Sequence, residues 1–372
     1  MRELAYVEKI RSLTPIPGAD KIEKAEVLGW ELVVKRGDFK VGDLTIYCEV
    51  DSILPQLKCF EFLRQYKFRL RTVRLRKQIS QGLALPLSLI KEAYPNIDIK
   101  SLKVGQDLTD AMGIVKYDPE AASDVKIEQV KKSWLSRKYS YLKWKLLGFK
   151  PAKSGSFPSD VPKTDEERVQ KMGSALANRE GELVYISEKL EGSSMTVVYR
   201  KAGNWLAKLF GRNYVFLVCS RNRIAYNSQK GGETNHTTYQ IAEKFNLLEG
   251  LKKLNRNIAI QGEQLGGKIQ GNVYKLPELS LRVFLMYDLD KKEYLYLDEM
   301  SLVADQLGLM IVPILERDVF LNANVKYYVE LSKGMSKINP LVQREGLVIR
   351  SMNDNFSFKS ISPDYLLSQE LD

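Results

Sequence analysis

The stretch YISEKLEGSSM at 185–195 decides how this chain is read. Its first half is strand-like and runs into Glu188-Lys189, Gly192 supplies a tight turn, and a second strand-like run begins at Met195. A lysine at a strand end before such a turn can be held over a bound phosphate. Where neighbouring cations and partial burial depress its pKa, the neutral amine becomes a nucleophile. The same residues also suit a solvated lysine before a turn, so the stretch needs company before it means anything.

Working outward, strand-like runs at 183–188, 195–199, 215–219, 258–262, 281–289, 346–350 and 356–360 surround a helical stretch at 238–254. Thr164-Asp165-Glu166-Glu167 reads as a capping box, which predicts a short helix through Arg168 and Met172. This mixture predicts an α+β domain with largely antiparallel sheets. Several runs end in residues with usable chemistry. VCSRNR at 218–223 offers Arg221, whose guanidinium suits phosphate or ribose oxygens. AIQGEQLGG at 259–267 places Glu263 among glycines, a carboxylate suited to a ribose or a hydrated Mg2+. LRVFLMYDLD at 281–290 could lay Tyr287 or Phe284 over a base, although plain core is the stronger reading of that strand alone. REGLVIR at 344–350 and NFSFKSISPDYLL at 355–367 add Glu345 and Lys359.

Ahead of this domain the chain changes character. Its 372 residues suffice for two domains. Residues 1–150 carry 28 basic and 19 acidic side chains, a net +9 of the whole chain's +11. An anionic polymer is the natural partner of such a half. Residues 1–112 read as short strands parted by turn signals such as Pro15-Ile16-Pro17-Gly18 and Gly42-Asp43, which predicts a small OB-like β-barrel. Within it, KFRLRTVRLRK at 67–77 holds six basic residues and no acid. Read as a strand with an irregularity, it puts Arg69 and Arg71 on one face and Arg74 and Arg76 in another register. These four are candidates for contact with nucleic-acid phosphate or a leaving pyrophosphate; a charged edge strand that resists aggregation is the competing reading. A basic, aromatic-rich linker or helical segment is placed at 113–160, with eight basic residues and one acid over 126–150. It suits either stacking on nucleic acid or packing between domains. The second domain is then 161–372.

Composition removes whole classes of chemistry. With His236 as the lone histidine, no site with two His ligands exists, and a Ser-His-Asp triad would have to commit that residue. Cys48, Cys59 and Cys219 are odd in number and lack CxxC spacing, so they read as reduced thiols of an intracellular, cytoplasmic protein. No signal peptide and no apolar run near the ~18 residues of a membrane span is expected.

Taken in order, Lys189-x-Glu191-Gly192, Ser220-Arg221, Gly262-Glu263, the strand through Phe284 and Tyr287, Glu345-Gly346-x-Val348 and Lys359 resemble the motif set of covalent nucleotidyltransferases. That superfamily contains ATP-dependent DNA ligases, RNA ligases and mRNA capping enzymes. The resemblance covers 164–367, and SRN at 220–222 looks most like RNA ligases. Only 13 residues follow Lys359, and the barrel-like module lies at the N-terminus. That order resembles the nick-sealing ATP-dependent RNA ligase family with an N-terminal OB domain.

The resemblance implies ATP and Mg2+ or Mn2+ as cofactors, with AMP carried covalently on Lys189. It implies adenine contact by Glu188, ribose contacts by Arg221 and Glu263, and adenine packed between Tyr287 and Val348. Phe284, three residues from Tyr287, is the fallback and is expected on the other side of the strand. Glu345, with Glu263, would bind the metal, and Lys359 would contact the α-phosphate beside Lys189 and help depress its pKa. Glu191 and Gly192 complete the ATP-binding turn. Two departures stand out: Ser357 occupies the place of a first lysine in the last motif, and Ser194 that of an asparagine. The implied partner is an RNA duplex carrying a nick, handled by a monomer away from any membrane. The rival readings are a ligase of DNA or mixed strands, and a nucleic-acid-binding protein with a decayed site.

Overall fold

The computed structural model describes residues 3–117, 156–201 and 213–368. The basic run at 126–150, and with it most of the 113–160 segment, lies outside them. The N-terminal part contains β1 (Ala5–Pro15), β2 (Ile22–Val27), β3 (Trp30–Lys35), β4 (Leu44–Cys48), β5 (Ser52–Ile53), β6 (Thr72–Leu75), β7 (Gln78–Gln81), β8 (Leu83–Pro86) and β9 (Val115–Lys116). Strands β3, β2, β1, β4 and β8 bond in that order, β6 pairs with β7, and β5 with β9. A bulge between Ile10 and Ser12 lets the long β1 serve β4 with one half and β2 with the other, which curls the sheet toward a barrel. Inside it, Trp30, Tyr47, Ile10 and Leu32 are fully buried. An OB-like barrel is therefore what the alternating N-terminal runs build.

The second part contains β10 (Glu167–Arg168), β11 (Leu183–Lys189), β12 (Ser193–Lys201), β13 (Tyr214–Ser220), β14 (Ile224–Asn227), β15 (Gly231–Gly232), β16 (Ile258–Leu265), β17 (Ser280–Asp288), β18 (Glu293–Tyr294), β19 (Met310–Ile311), β20 (Ile314–Phe320), β21 (Gly346–Ser351) and β22 (Ser357–Ile361). Among the described residues one sheet runs β10-β22-β21-β11-β20 and another β15-β14-β13-β12-β16-β17-β18. Most pairings are antiparallel, so the α+β expectation holds.

Period-two alternation explains where the cleft forms. In the first sheet Val184, Ile186, Leu347, Ile349 and Phe358 share one core. Burying each aliphatic side chain there is worth about 1.5–3 kcal/mol. Ser187, Lys189, Val348 and Lys359 are left on the opposite face. In the second sheet Met195, Val197, Ile258 and Ile260 bury against the helices Thr237–Lys244, Leu247–Leu254 and Leu297–Gln306. Ser194, Thr196, Gln261 and Glu263 then face the other way, and the two polar faces line a common cleft.

Three local expectations fail. The capping box starts no α-helix: Glu167–Arg168 is strand β10, parallel to β22, a single 3-10 turn covers Val169–Lys171, and the α-helix begins at Gly173. Asp165 and Glu166 are taken instead by Lys359 and Arg350, stronger partners than orphan helix amides. The 238–254 stretch is two helices, broken where Asn246 turns left-handed at φ 48°. Finally, 67–77 is no single strand, because Lys67 and Phe68 adopt positive φ and Arg76-Lys77 form the turn of the β6–β7 hairpin.

The two parts meet tightly. Gly29 donates to the Gln170 carbonyl at 3.1 Å, and a Cβ there would lie 2.7 Å from Val325 Cγ1, so only glycine permits the approach. Lys171 pairs with Glu3 at 3.2 Å and Lys326 with Glu26 at 3.0 Å.

Candidate active site

The cleft between the sheets encloses about 560 Å³. Lys189 ends β11 with its Nζ 2.6 Å from Glu345 Oε1, at the mouth of β21. The neighbouring turn closes only because residue 192 is glycine: a Cβ there would sit 2.5 Å from the Gln264 carbonyl and 2.8 Å from Glu263 Cγ. That close approach of β16 brings Glu263 to the lysine, with Ser194 directly across the ladder.

Three carboxylates therefore surround one amine. Burial, with Glu345 and Glu191 adding and Lys189 opposing, pushes the Glu263 carboxyl up to about 8. Burial and Glu345 push Glu191 up to about 7, although the Tyr365 hydroxyl donates to its carboxylate and Lys189 opposes the shift. Burial acts downward on Lys189, yet Glu345 and Glu263 outweigh it and hold the amine above its ordinary value. The expectation that Lys359 would help depress this pKa is corrected. Lys359 donates instead to Asp165 at 2.9 Å, and Asp165 also accepts from the barrel's Lys116 at 2.9 Å. Burial opposes ionisation of Asp165, but Lys359 and Lys116 hold its carboxyl well below the usual range.

The carboxylates suit a hard divalent cation. Their donors are all oxygen, and the buried Glu345 Oε2 has no hydrogen-bond partner. Among the described residues no three acidic, His or Cys side chains converge tightly enough to hold a bare ion, so an ion that keeps its waters fits better.

Arg221, Glu263, Phe284, Glu345, Val348 and Lys359 all line the cleft, as do Glu191 and Gly192. Glu188 lines the cleft as well, with its Oε2 accepting from the Lys337 amide at 2.8 Å and its buried Oε1 left without a hydrogen-bond partner. One expected base contact is placed differently. Tyr287 does not line the cleft; it packs on Val161, Val198 and Ala259, edge-on to Tyr294 with centroids 5.1 Å apart. A bulge explains the exchange. The β16–β17 register slips between Gln261 and Gly262, so Val283 and Met286, three residues apart, enter the same core. Phe284 is the extra residue on β17. It therefore shares a side with Tyr287, rather than facing away from it, and reaches the cleft against Leu190 and Val312.

Of the four barrel arginines, Arg69 alone lines the cleft, donating to Asp51 at 2.6 Å with its guanidinium 3.7 Å above the Tyr117 ring. Arg168 bonds the other Asp51 oxygen at 3.1 Å. Asp51, Lys116, Tyr117, Asp165 and Arg168 are site residues that sequence reasoning missed. The acids at 164–167, if not spent on a helix cap, were the available signal.

Comparisons with known proteins agree with this geometry. A family model described as an OB-fold domain matches residues 4–87, and one described as RNA ligase matches 182–361. No curated protein matches the chain. Among solved structures, a ligand-free variant of Naegleria gruberi RNA ligase is 34% identical, with TM-score 0.78 over 100% of this chain and 99% of that one. The same enzyme with PPi matches at 34% identity and TM-score 0.78 over 100% of both chains. A variant with ATP and Mn matches at 34% and 0.77 over 98% of both. With a third of its residues shared with the Naegleria enzyme over the whole length, the chain belongs to the RNA ligase family.

Proposed function

We propose that this chain is an ATP- and divalent-metal-dependent RNA ligase that seals 3′-OH/5′-phosphate breaks, nicks in a duplex above all, through AMP carried on Lys189. One observation carries the reading: a strand-end lysine faces Glu345, Glu263 and Glu191 inside a cleft rimmed by Arg69, Lys116, Arg168 and Arg221. The inner pocket is acidic and suits a cation, while the rim is basic and suits a polyphosphate. The Naegleria enzyme is seen with ATP and Mn, and in another variant with AMP and Mn.

The chemistry follows from the side chains. The Lys189 ammonium must first lose a proton, for which Glu345 Oε1 is the acceptor in contact. The amine attacks the α-phosphorus; a P–N bond forms, the α–β P–O bond breaks, and pyrophosphate leaves. The AMP then passes to a 5′-phosphate, and the 3′-OH displaces it as the strand is joined. Each step is in-line displacement, so alignment and charge neutralisation dominate. Bound Mg2+ or Mn2+, held by Glu345 and Glu263 with part of its water shell kept, would neutralise phosphate charge. Lys359 exchanges Asp165 for phosphate oxygen.

In this proposal residues 1–112 are the barrel and 161–372 the adenylyltransferase, working as an intracellular monomer; the thiols of Cys48, Cys59 and Cys219 are all free. Among the described residues no helix is long and apolar enough to cross a membrane.

Incubation with α-labelled ATP and Mg2+ should leave a label that survives heat and is released by acid, and nicked duplexes should then be sealed. Absence of the adduct sinks the mechanism. A nick that seals equally with a deoxyribose 3′ end, with no preference for ribose, favours the DNA-joining rival. Base stacking supplies a second expectation. Phe284→Ala should raise the KM for ATP about tenfold, since one base–aromatic stack is worth roughly 1–3 kcal/mol. Tyr287→Leu should leave it unchanged, and the reverse pattern would restore Tyr287 to the base site.

A further inference from the structure

The hairpin tip of the barrel is built against its own backbone preferences. Strands β6 and β7 are joined by the two residues Arg76 and Lys77, at φ 48° and 69°. A two-residue turn with both residues left-handed is ordinarily filled by Asn-Gly or Asp-Gly, because a Cβ is disfavoured there. Here two long cationic side chains hold those places. Arg74, Leu75, Arg76 and Lys77 are consecutive and exposed, Leu75 at 44%. No side-chain hydrogen bond or ion pair engages Arg74, Arg76 or Lys77 among the described residues. Between Glu61 and Glu92 the sequence holds no acid at all.

The hairpin is anchored along β7, up to the residue that follows the turn. Val33 donates to Ser80 Oγ at 3.0 Å, and Gln78 Nε2 to Glu31 at 3.0 Å, which holds β7 on β3. On its other side β6 lies against the helix Pro363–Ser368, whose Tyr365 bonds Glu191 and whose Leu366 lines the cleft. The hairpin is thus a rigid arm one helix away from Lys189.

We infer that Arg74, Arg76 and Lys77 form a docking surface for the phosphodiester backbone of the nucleic-acid duplex, outside the adenylylation site; this rests on the strand-sealing reading. Charge selects the occupant: a cationic tip without internal acids fits a polyanion of regular spacing. Strained backbone is tolerated where function repays it. Arg69, which points into the cleft, is not part of this surface, so the basic run serves two separate places.

The test separates binding from adenylylation. In the full chain, the triple variant Arg74→Ala, Arg76→Ala, Lys77→Ala should form labelled lysyl-AMP within twofold of the parent. Its affinity for a nicked RNA duplex should fall about tenfold or more, and its log K against log salt slope should lose about 2–3. A second variant, Arg76→Asn with Lys77→Gly, relieves the turn; its melting temperature should equal or exceed the parent's while duplex affinity still falls. Unchanged affinity and slope in both variants overturn the inference. So does loss tracking anionic vesicles or a self-association equilibrium instead of duplex. A parent that binds duplex but never labels overturns the sealing reading, and the binding arm still decides the hairpin.

Discussion

Lys189→Ala should abolish labelling by α-labelled ATP, by at least about a thousandfold, because no other amine is placed to take the adenylate. Among the described amines of the cleft, Lys359 and the barrel's Lys116 are bound to Asp165, and Lys163 donates to Asn222 at 3.3 Å. The same variant should still join a strand whose 5′ end is supplied already adenylylated, since that step needs AMP as leaving group and not the lysine as nucleophile. A Lys189→Ala protein that labels at the parent's rate would refute the assignment. The pH dependence has a definite sign. Glu345 and Glu263 hold the amine above its ordinary value, so the reactive neutral form is scarce at neutral pH. Single-turnover adenylylation should climb roughly tenfold per pH unit on its acid limb. A profile flat between pH 6 and 9 would show that deprotonation of Lys189 does not limit the step.

Arg350→Met should cost about 3–5 kcal/mol of stability, the usual penalty for stranding one member of a buried pair. Arg350 and Glu166 meet at 2.6 Å with side chains only 10% and 14% exposed. Burial pushes the Glu166 carboxyl up, yet Arg350 and Lys359 pull it below its ordinary value. Without the arginine, Glu166 must either stay charged in a dry place or take up a proton. Denaturant titration of the single variants and of Arg350→Met with Glu166→Met should show recovery of most of the loss in the double variant. Additive losses would mean that the two side chains are not coupled.

Much of this was legible in the sequence. Strands carry Lys189, Glu263 and Lys359 and Glu345 directly precedes one, and their order along the chain is legible even before the strands are paired. What escaped was set by register and by long-range pairing. The Phe284–Tyr287 exchange turns on one inserted residue in β17, which a period-two reading cannot foresee. Thr164 to Glu167 matched a helix cap locally, and lost it to Lys359 and Arg350, which arrive almost 200 residues later. Local rules failed where distant charges offered more.

The parallel pairing of β10 with β22 carries a consequence for how the molecule comes into being. Glu167 and Phe358 are partners across about 190 residues, and the intervening β11, β20 and β21 share the same sheet. A ribosome releasing this chain delivers the barrel before Lys189, and Lys359 and Tyr365 after both. Contacts of such sequence separation close slowly, after most loop entropy has been paid. The barrel can therefore mature while the catalytic sheet still waits for its last strand. A nascent chain would expose a folded, basic barrel long before the cleft around Lys189 could close.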